Sequence, residues 1–146
     1  MFVWPVRVRA GAFADNVPER DLWLSPDHSI YANGVLIPIK HLIDGATIAQ
    51  VSRTTITYWH VELMRHDIIL AAEGLPVESY LETGDRAAFS NGGAVLAMFP
   101  DFASRTWEAE GCAPLVVAGA ELAALRDLVA ARRRGTARSI RGRRSG

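Results

Sequence analysis

Chain-breaking residues recur at short, regular intervals, and this spacing limits the fold more than any other feature. Over the first 100 residues, glycine, proline and asparagine interrupt short apolar runs about every 8 to 12 positions. The runs alternate in polarity: in "WPVRVRAGAF", Val6 and Val8 share one face while Arg7 and Arg9 share the other. A period of two is typical of half-buried strands, so we predict a β domain of many short strands.

The predicted turns divide this region into hairpins. Asn33-Gly34 lies between the apolar runs "SIY" and "VLIPI", and Asn-Gly is the strongest short-range hairpin signal because both residues accept positive φ. Pro38 is then expected on an edge strand or at a bulge. Asp44-Gly45 and Glu73-Gly74 predict further turns, the second between two short strands.

Residues 54–64, "TTITYWHVELM", are rich in β-branched and aromatic side chains and alternate in period two. This composition predicts a strand, with His60 and Glu62 on one face. His60 and His66 would lie roughly 20 Å apart if the chain between them were extended. A metal site using both is therefore not predicted, and no cofactor is indicated.

The C-terminal third changes character. We predict an irregular extension at 90–118, then a helix at 119–135 with Leu122, Leu125, Leu128 and Val129 at helical spacing, and Gly135 as its cap. Residues 136–146 are expected to be a disordered basic tail. The fold class predicted is all-β with a C-terminal helix.

Charge is unevenly distributed although the formal net charge is zero. Seven of the sixteen basic residues fall in the last fifteen positions, which leaves residues 1–131 with nine basic and sixteen acidic side chains, a net of minus seven. The tail has no interleaved aromatic residues for base stacking, so we expect it to be solvated and predict no nucleic-acid partner. No apolar run reaches the roughly 18 residues that span a bilayer, so membrane insertion is not predicted. The compartment stays undetermined.

Ser25-Pro26-Asp27-His28 is the first candidate for chemistry. A hydroxyl three residues before an imidazole allows both groups to converge on one point, where they can hydrogen-bond a peptide unit and protonate its nitrogen. A structural histidine bonded to backbone in a turn remains an alternative. The sole cysteine, Cys112, excludes an internal disulfide and is predicted to be a small apolar group packed beneath the C-terminal helix.

Several blocks, taken in order, resemble the Hint (hedgehog/intein) domain family, in particular a bacterial Hint subfamily. "LWLSPDHSIYANG" resembles the block with a Thr-x-x-His or Ser-x-x-His motif, and "YWHVELMRHDIILAAEGLPVESY" resembles a later block. The similarity extends from about Trp4 to Phe89. It implies a Hint-like β domain over residues 1–89.

The resemblance implies self-catalysed peptide cleavage. In the family, a Cys or Ser at the first position attacks the preceding carbonyl and converts the amide to a thioester or ester. By the resemblance, His28 would hydrogen-bond the scissile amide and protonate its nitrogen, and Ser25 would hold that amide. His66 or Asp67 would assist the second step, by position.

The sequence departs from the family where the nucleophile is expected. Only twenty-four residues precede Ser25, and none matches the opening strand that carries a Cys or Ser. We therefore expect the 146 residues to be an inactive fragment that lacks the first strands. Its partner would be the N-terminal segment of its own longer polypeptide or a complementary fragment. The alternatives are a non-catalytic β-rich structural or interaction module and, with less support, a metal- or nucleic-acid-binding module.

Overall fold

A computed structural model of the chain describes residues 3–79 and 111–143. The described part contains two antiparallel sheets and a C-terminal helix, α1 (Ala120–Arg143), which confirms the predicted fold class. A three-stranded sheet has the order β2-β1-β5, and a four-stranded sheet has the order β4-β3-β7-β6. The strands are β1 (Val6–Val8), β2 (Leu22–Leu24), β3 (Ser29–Ala32), β4 (Val35–Pro38), β5 (Ile48–Gln50), β6 (Ile68–Ala72) and β7 (Leu75–Glu78).

The predicted hairpin turns are confirmed. Asn33 and Gly34 have φ values of 52° and 81° and connect β3 to β4. Glu73 and Gly74 repeat this left-handed pair between β6 and β7. Two consecutive residues with positive φ give a turn whose twist matches that of the flanking strands. Pro38 ends β4, an edge strand of its sheet, as predicted.

The prediction of a strand at residues 54–64 is wrong, because the structure assigns no regular strand there. The alternation is present only over residues 56–61: Ile56, Tyr58 and His60 are half-buried and the residues between them are exposed, whereas residues 62–65 are all exposed. A period of two reports that one side of a segment faces the protein body. It does not report whether a neighbouring backbone supplies the hydrogen bonds of a ladder.

Helix α1 extends further than the sequence indicated. It continues past Gly135 to Arg143, so residues 136–143 are helical where the sequence predicts a disordered tail. Gly135 does not adopt the positive φ of a C-terminal cap. Alanine and arginine, which both favour helix, make up 13 of the 24 residues of α1. Of the predicted irregular segment 90–118, residues 90–110 lie outside the described residues.

Both sheets and the helix share one hydrophobic core. Its buried members include Val6 and Val8 of β1 and Ile30 of β3. Leu122, Leu125 and Val129 of the helix join the same cluster, but Leu128 is 40% exposed because it lies off that helix face. Within the described residues, no helix is long and apolar enough to cross a membrane.

Candidate functional site

Ser25 and His28 stand at the two ends of a tight turn between β2 and β3. The His28 N–H donates to the Ser25 carbonyl at 3.1 Å, which closes the turn. The turn is fixed from the other side by Ile39, whose N–H donates to the His28 carbonyl at 2.9 Å, and by Lys40, whose N–H donates to the Pro26 carbonyl at 3.0 Å. Backbone bonds therefore fix the main chain of the turn that carries both side chains.

Both side chains line a pocket of about 270 Å³. Its walls are apolar and aromatic, and the guanidinium of Arg53 lies 3.7 Å from the ring centre of Trp23, one of those wall residues. Glu78 supplies the acidic side chain among the lining residues that the structure describes. The lining consists of Leu22, Trp23, Leu24, Ser25, His28, Thr57, Tyr58, Trp59, His60, Val61, Ile69, Val77 and Glu78.

His28 is a buried, neutral imidazole. Its side chain is 8% exposed, and within the described part of the chain its Nε2 has no hydrogen-bond partner. Burial lowers the pKa of His28 to about 4. The carboxylate of Glu78 opposes that shift, and His60, whose ring centre lies 4.8 Å away, adds to it. At neutral pH the His28 ring is therefore uncharged.

His66 lies on the other side of Glu78. Its side chain is fully buried, and its Nδ1 accepts the backbone N–H of Cys112 at 3.0 Å. Its Nε2 lies 3.4 Å from Oε2 of Glu78, an electrostatic contact. His66 is not among the residues that line the pocket beside His28.

Asp67 is exposed, and its hydrogen bonds fix the backbone at the beginning of β6. Its Oδ1 accepts the N–H of Ile68 at 2.7 Å, and its own N–H donates to the hydroxyl of Ser79 at 2.9 Å. These bonds fix the beginning of β6. The structure thus brings Ser25 and His28 together in one pocket, while His66 and Asp67 lie outside the lining of that pocket.

Cys112 is exposed, so the prediction that it packs beneath the C-terminal helix is wrong. The chain beyond it runs along β4, where Leu115 forms a parallel bridge with Leu36. That pairing places Cys112 beside His66. Partial burial and the nearby carboxylates of Asp67 and Glu78 raise the pKa of the thiol.

Glu78 is the residue of this site that sequence reasoning missed. It is 9% exposed, and its Oε1 accepts the N–H of Ser29 at 2.6 Å. The partners are 49 positions apart, so no local pattern reveals the contact. The sequence offered one signal: Glu78 ends a predicted short apolar strand. A glutamate that is buried at such a position is rarely without a partner.

The described residues contain no group of three or more histidine, cysteine, aspartate and glutamate side chains that could hold a metal ion. The polar side chains that line the pocket include three hydroxyls, two imidazoles and a carboxylate, which suit proton transfer and hydrogen bonding to a peptide unit.

A family model described as the Hint domain matches residues 2–84, more than half of the chain. The match contains the Ser25–His28 turn, the segment with His60 and His66, and the whole of β7. The chain therefore belongs to the Hint domain family, a family of autoprocessing-type domains. Neither a search of curated proteins nor a search of solved structures finds a match.

Proposed function

We propose that this chain is the body of a Hint domain that cleaves a peptide bond of its own polypeptide by an N-to-S or N-to-O acyl shift. His28 is the proton-transfer residue and Ser25 holds the scissile amide. The attacking Cys or Ser belongs to a segment outside these 146 residues. Residues 66 and 67 serve the later release step by position, as the family resemblance implies.

The observation that carries the proposal is that the buried Nε2 of His28 has no hydrogen-bond partner among the described residues. A buried imidazole normally has a hydrogen-bond partner for its ring nitrogens, since an unsatisfied buried polar atom costs about 1–3 kcal/mol. Nε2 of His28 has none among the described residues, and His28 and Ser25 line the same pocket. A peptide unit entering that pocket would supply the missing partner.

The low pKa of His28 fits the proton balance of an acyl shift. The attacking thiol or hydroxyl loses a proton when it adds to the carbonyl, and the amide nitrogen must gain one before the C–N bond breaks. A neutral imidazole can take the first proton and deliver it to that nitrogen, as the histidine of a serine protease does. With a pKa of about 4, the protonated His28 transfers its proton readily to the departing nitrogen.

In this proposal, the nucleophile is carried by the partner segment of polypeptide. Residues 1–24 contain no cysteine, serine or threonine, and Cys112 lies beside His66 with a raised pKa. We propose that the nucleophile arrives on an N-terminal segment of the chain's own longer polypeptide or on a complementary fragment. The 146 residues alone then perform no acyl shift.

A second candidate function is a non-catalytic β-rich interaction module. The observation that favours it is a set of exposed apolar side chains around residues 59–70. Trp59 is 85% exposed, Leu70 is 72% exposed and Met64 is fully exposed. Large apolar side chains left exposed close together in sequence are consistent with a protein–protein contact. This surface fits a bound polypeptide whether or not cleavage follows.

The test is to express the chain with polypeptide added upstream of Met1, bearing the Hint opening strand with its cysteine, and to follow intact mass with and without added thiol. Release of an N-terminal fragment, accelerated by thiol, is expected for the unchanged chain and is lost in His28→Ala. His41→Ala is the matched control, because His41 does not line the pocket, and it should cleave normally. Equal cleavage in His28→Ala would refute the assigned role. A single uncleaved mass in all variants would favour the interaction module.

A further inference from the structure

We propose that Glu78 is a positioning residue of this site, whose carboxylate links the backbone that carries His28 to the ring of His66, by a hydrogen bond from Ser29 and an electrostatic contact with Nε2 of His66. The inference rests on the proposed function and deepens it, because it assigns a role to a residue that neither the motif nor the family match singles out. Glu78 touches neither the scissile peptide nor the nucleophile in this scheme. It acts through the two histidines.

The first step of the argument is the placement of Glu78. It ends β7, where it pairs with Ile68 of β6, and its neighbour Val77 pairs with Ile30 of β3. The carboxylate therefore lies where three strands of the four-stranded sheet meet. From there Oε1 reaches the backbone N–H of Ser29, the residue after His28, at 2.6 Å. This short bond to an ionised acceptor fixes the beginning of β3 and thus the backbone that carries His28.

The second step concerns the proton on His66. Its Nδ1 accepts the N–H of Cys112 at 3.0 Å, so in the neutral ring the proton must be on Nε2. Nε2 lies 3.4 Å from Oε2 of Glu78. A carboxylate that faces the protonated nitrogen selects the tautomer and fixes the ring. Glu78 and Cys112 therefore hold His66 from opposite sides.

The third step is that only a carboxylate can satisfy both contacts. Ser29 donates its backbone N–H to one oxygen at 2.6 Å, and Nε2 of His66, the nitrogen that carries the ring proton, faces the other oxygen in an electrostatic contact at 3.4 Å. An ionised glutamate offers two acceptors, whereas glutamine offers one acceptor and one donor. In Glu78→Gln, one of the two partners must therefore face a second donor at a buried position. The resulting mismatch distinguishes a charged bridge from a group that merely fills space.

The fourth step links Glu78 to the chemistry of His28. Three titratable side chains line the pocket with His28, namely Glu78 of β7 and Tyr58 and His60 of residues 54–67. Two of them, Glu78 and His60, shift the pKa of His28, and they act in opposite directions. The negative charge of Glu78 favours the protonated ring, while His60 disfavours it. In a site where burial strongly opposes the imidazolium, Glu78 supplies the compensating charge during proton transfer.

The test uses the 146-residue chain itself, labelled with ¹⁵N at histidine and examined by long-range ¹⁵N–¹H correlation spectra between pH 7 and pH 4. His66 is expected as the Nε2–H tautomer. In Glu78→Gln the His66 resonances should move toward a tautomer mixture, and the titration of His28 should move to lower pH. Glu78→Asp keeps both acceptors and the charge, so it should restore the His28 titration in part. Glu19→Gln, an exposed glutamate, is the matched control and should leave all four histidines unchanged.

Two results would overturn the inference: an Nδ1–H tautomer of His66 in the unchanged chain, or an unaltered His28 titration in folded Glu78→Gln. If Glu78→Gln does not fold, the tautomer of the unchanged chain and the Glu78→Asp titration decide. In the cleaving extended polypeptide, Glu78→Gln should slow cleavage by at least about tenfold and change its pH profile, with partial rescue by Glu78→Asp. Absence of cleavage in the unchanged extended polypeptide would defeat the proposed function. The spectra would still test the positioning role of Glu78, because they do not depend on cleavage.

Discussion

At the scale of single residues, the main polar groups of the site, His28 and Glu78, are buried rather than exposed to solvent. His28 is a histidine that the fold keeps neutral, and Glu78 is a carboxylate that the fold keeps buried. Burying either group costs free energy unless it has a hydrogen-bond or ion-pair partner. The partners of Glu78 are visible, whereas that of Nε2 in His28 is not among the described residues.

The first prediction concerns stability as the pH falls. His28 has a pKa of about 4 when folded and about 6.5 when unfolded, so between those values the unfolded chain binds more protons. The stabilisation is fully present above pH 6.5 and is lost as the pH falls through 4. Applying about 1.4 kcal/mol per pKa unit, the loss at pH 4 is about 3 kcal/mol.

The measurement compares urea unfolding at pH 7 and pH 4 in the unchanged chain and in His28→Gln, which cannot titrate. The variant should lose about 3 kcal/mol less on acidification than the unchanged chain, because all other titrating groups are shared. His41→Gln should behave like the unchanged chain. Equal pH dependence in the His28 variant and the unchanged chain would show that His28 is not held neutral by burial.

The second prediction concerns the reactivity of Cys112. Its thiol is exposed, but its raised pKa leaves little thiolate at neutral pH, and the thiolate is the reactive form. Alkylation by iodoacetamide at pH 8 should be slower than that of a small free thiol. Asp67→Asn removes one of the carboxylates that raise this pKa, so it should speed the reaction, whereas Asp127→Asn on α1 should not. A rate equal to that of the free thiol contradicts the placement of Cys112.

At the scale of secondary-structure elements, the sequence predicted local features well and pairings poorly. Positive φ at Asn33 and Gly34 is a property of two adjacent residues, so the turn could be predicted. Residues 54–64 have the alternation of a strand, yet no regular ladder forms there, because ladder partners are distant in sequence. The end of α1 was misjudged because Gly135 can either cap a helix or continue it.

The same limit explains the site. Ser25 and His28 are three residues apart, and a local backbone hydrogen bond closes the turn between them. Glu78 meets Ser29 across 49 positions, and Cys112 meets His66 across 46. Contacts of that separation depend on strand order and register, which a single sequence does not encode in any short pattern.

The third prediction uses two glycines in different elements. Gly135 lies inside α1, has open space for a Cβ and has no positive φ, so Gly135→Ala should stabilise the chain by about 0.5–1 kcal/mol. Gly34 also has open space, but its φ is +81°, so Gly34→Ala should destabilise by about 1–2 kcal/mol. Urea unfolding of the pair measures both. Destabilisation by Gly135→Ala would mean that the helix does not continue through residue 135.

At the scale of the whole molecule, the helix is part of the same folding unit as the sheets, although the family match ends at residue 84. Besides the shared core, polar contacts fasten α1 to the sheet region. Arg132 donates to the carbonyl of Gly11 at 2.9 Å and to the carboxylate of Asp15 at 2.8 Å. Arg126 donates to the carbonyl of His41 at 2.9 Å. The basic side chains at the beginning of the arginine-rich stretch thus bind the acidic body of the chain.

The last prediction tests whether the helix and the sheets unfold as one cooperative unit. Leu125 is 4% exposed within the shared core and Leu128 is 40% exposed on the same helix, so the two leucines form a matched pair. Leu125→Ala should cost about 2–5 kcal/mol, because it removes buried methyl groups and leaves a cavity. Leu128→Ala should cost less than about 1 kcal/mol.

Unfolding followed by far-ultraviolet circular dichroism reports mainly on the helix, and tryptophan fluorescence reports on side chains such as Trp23 of β2. If helix and sheets form one cooperative unit, Leu125→Ala shifts both transitions equally and they remain coincident. If the helix were an independent appendage, Leu125→Ala would change the circular dichroism alone and leave the fluorescence transition in place. The buried contacts of Leu122, Leu125 and Val129 with the sheet core require the first result.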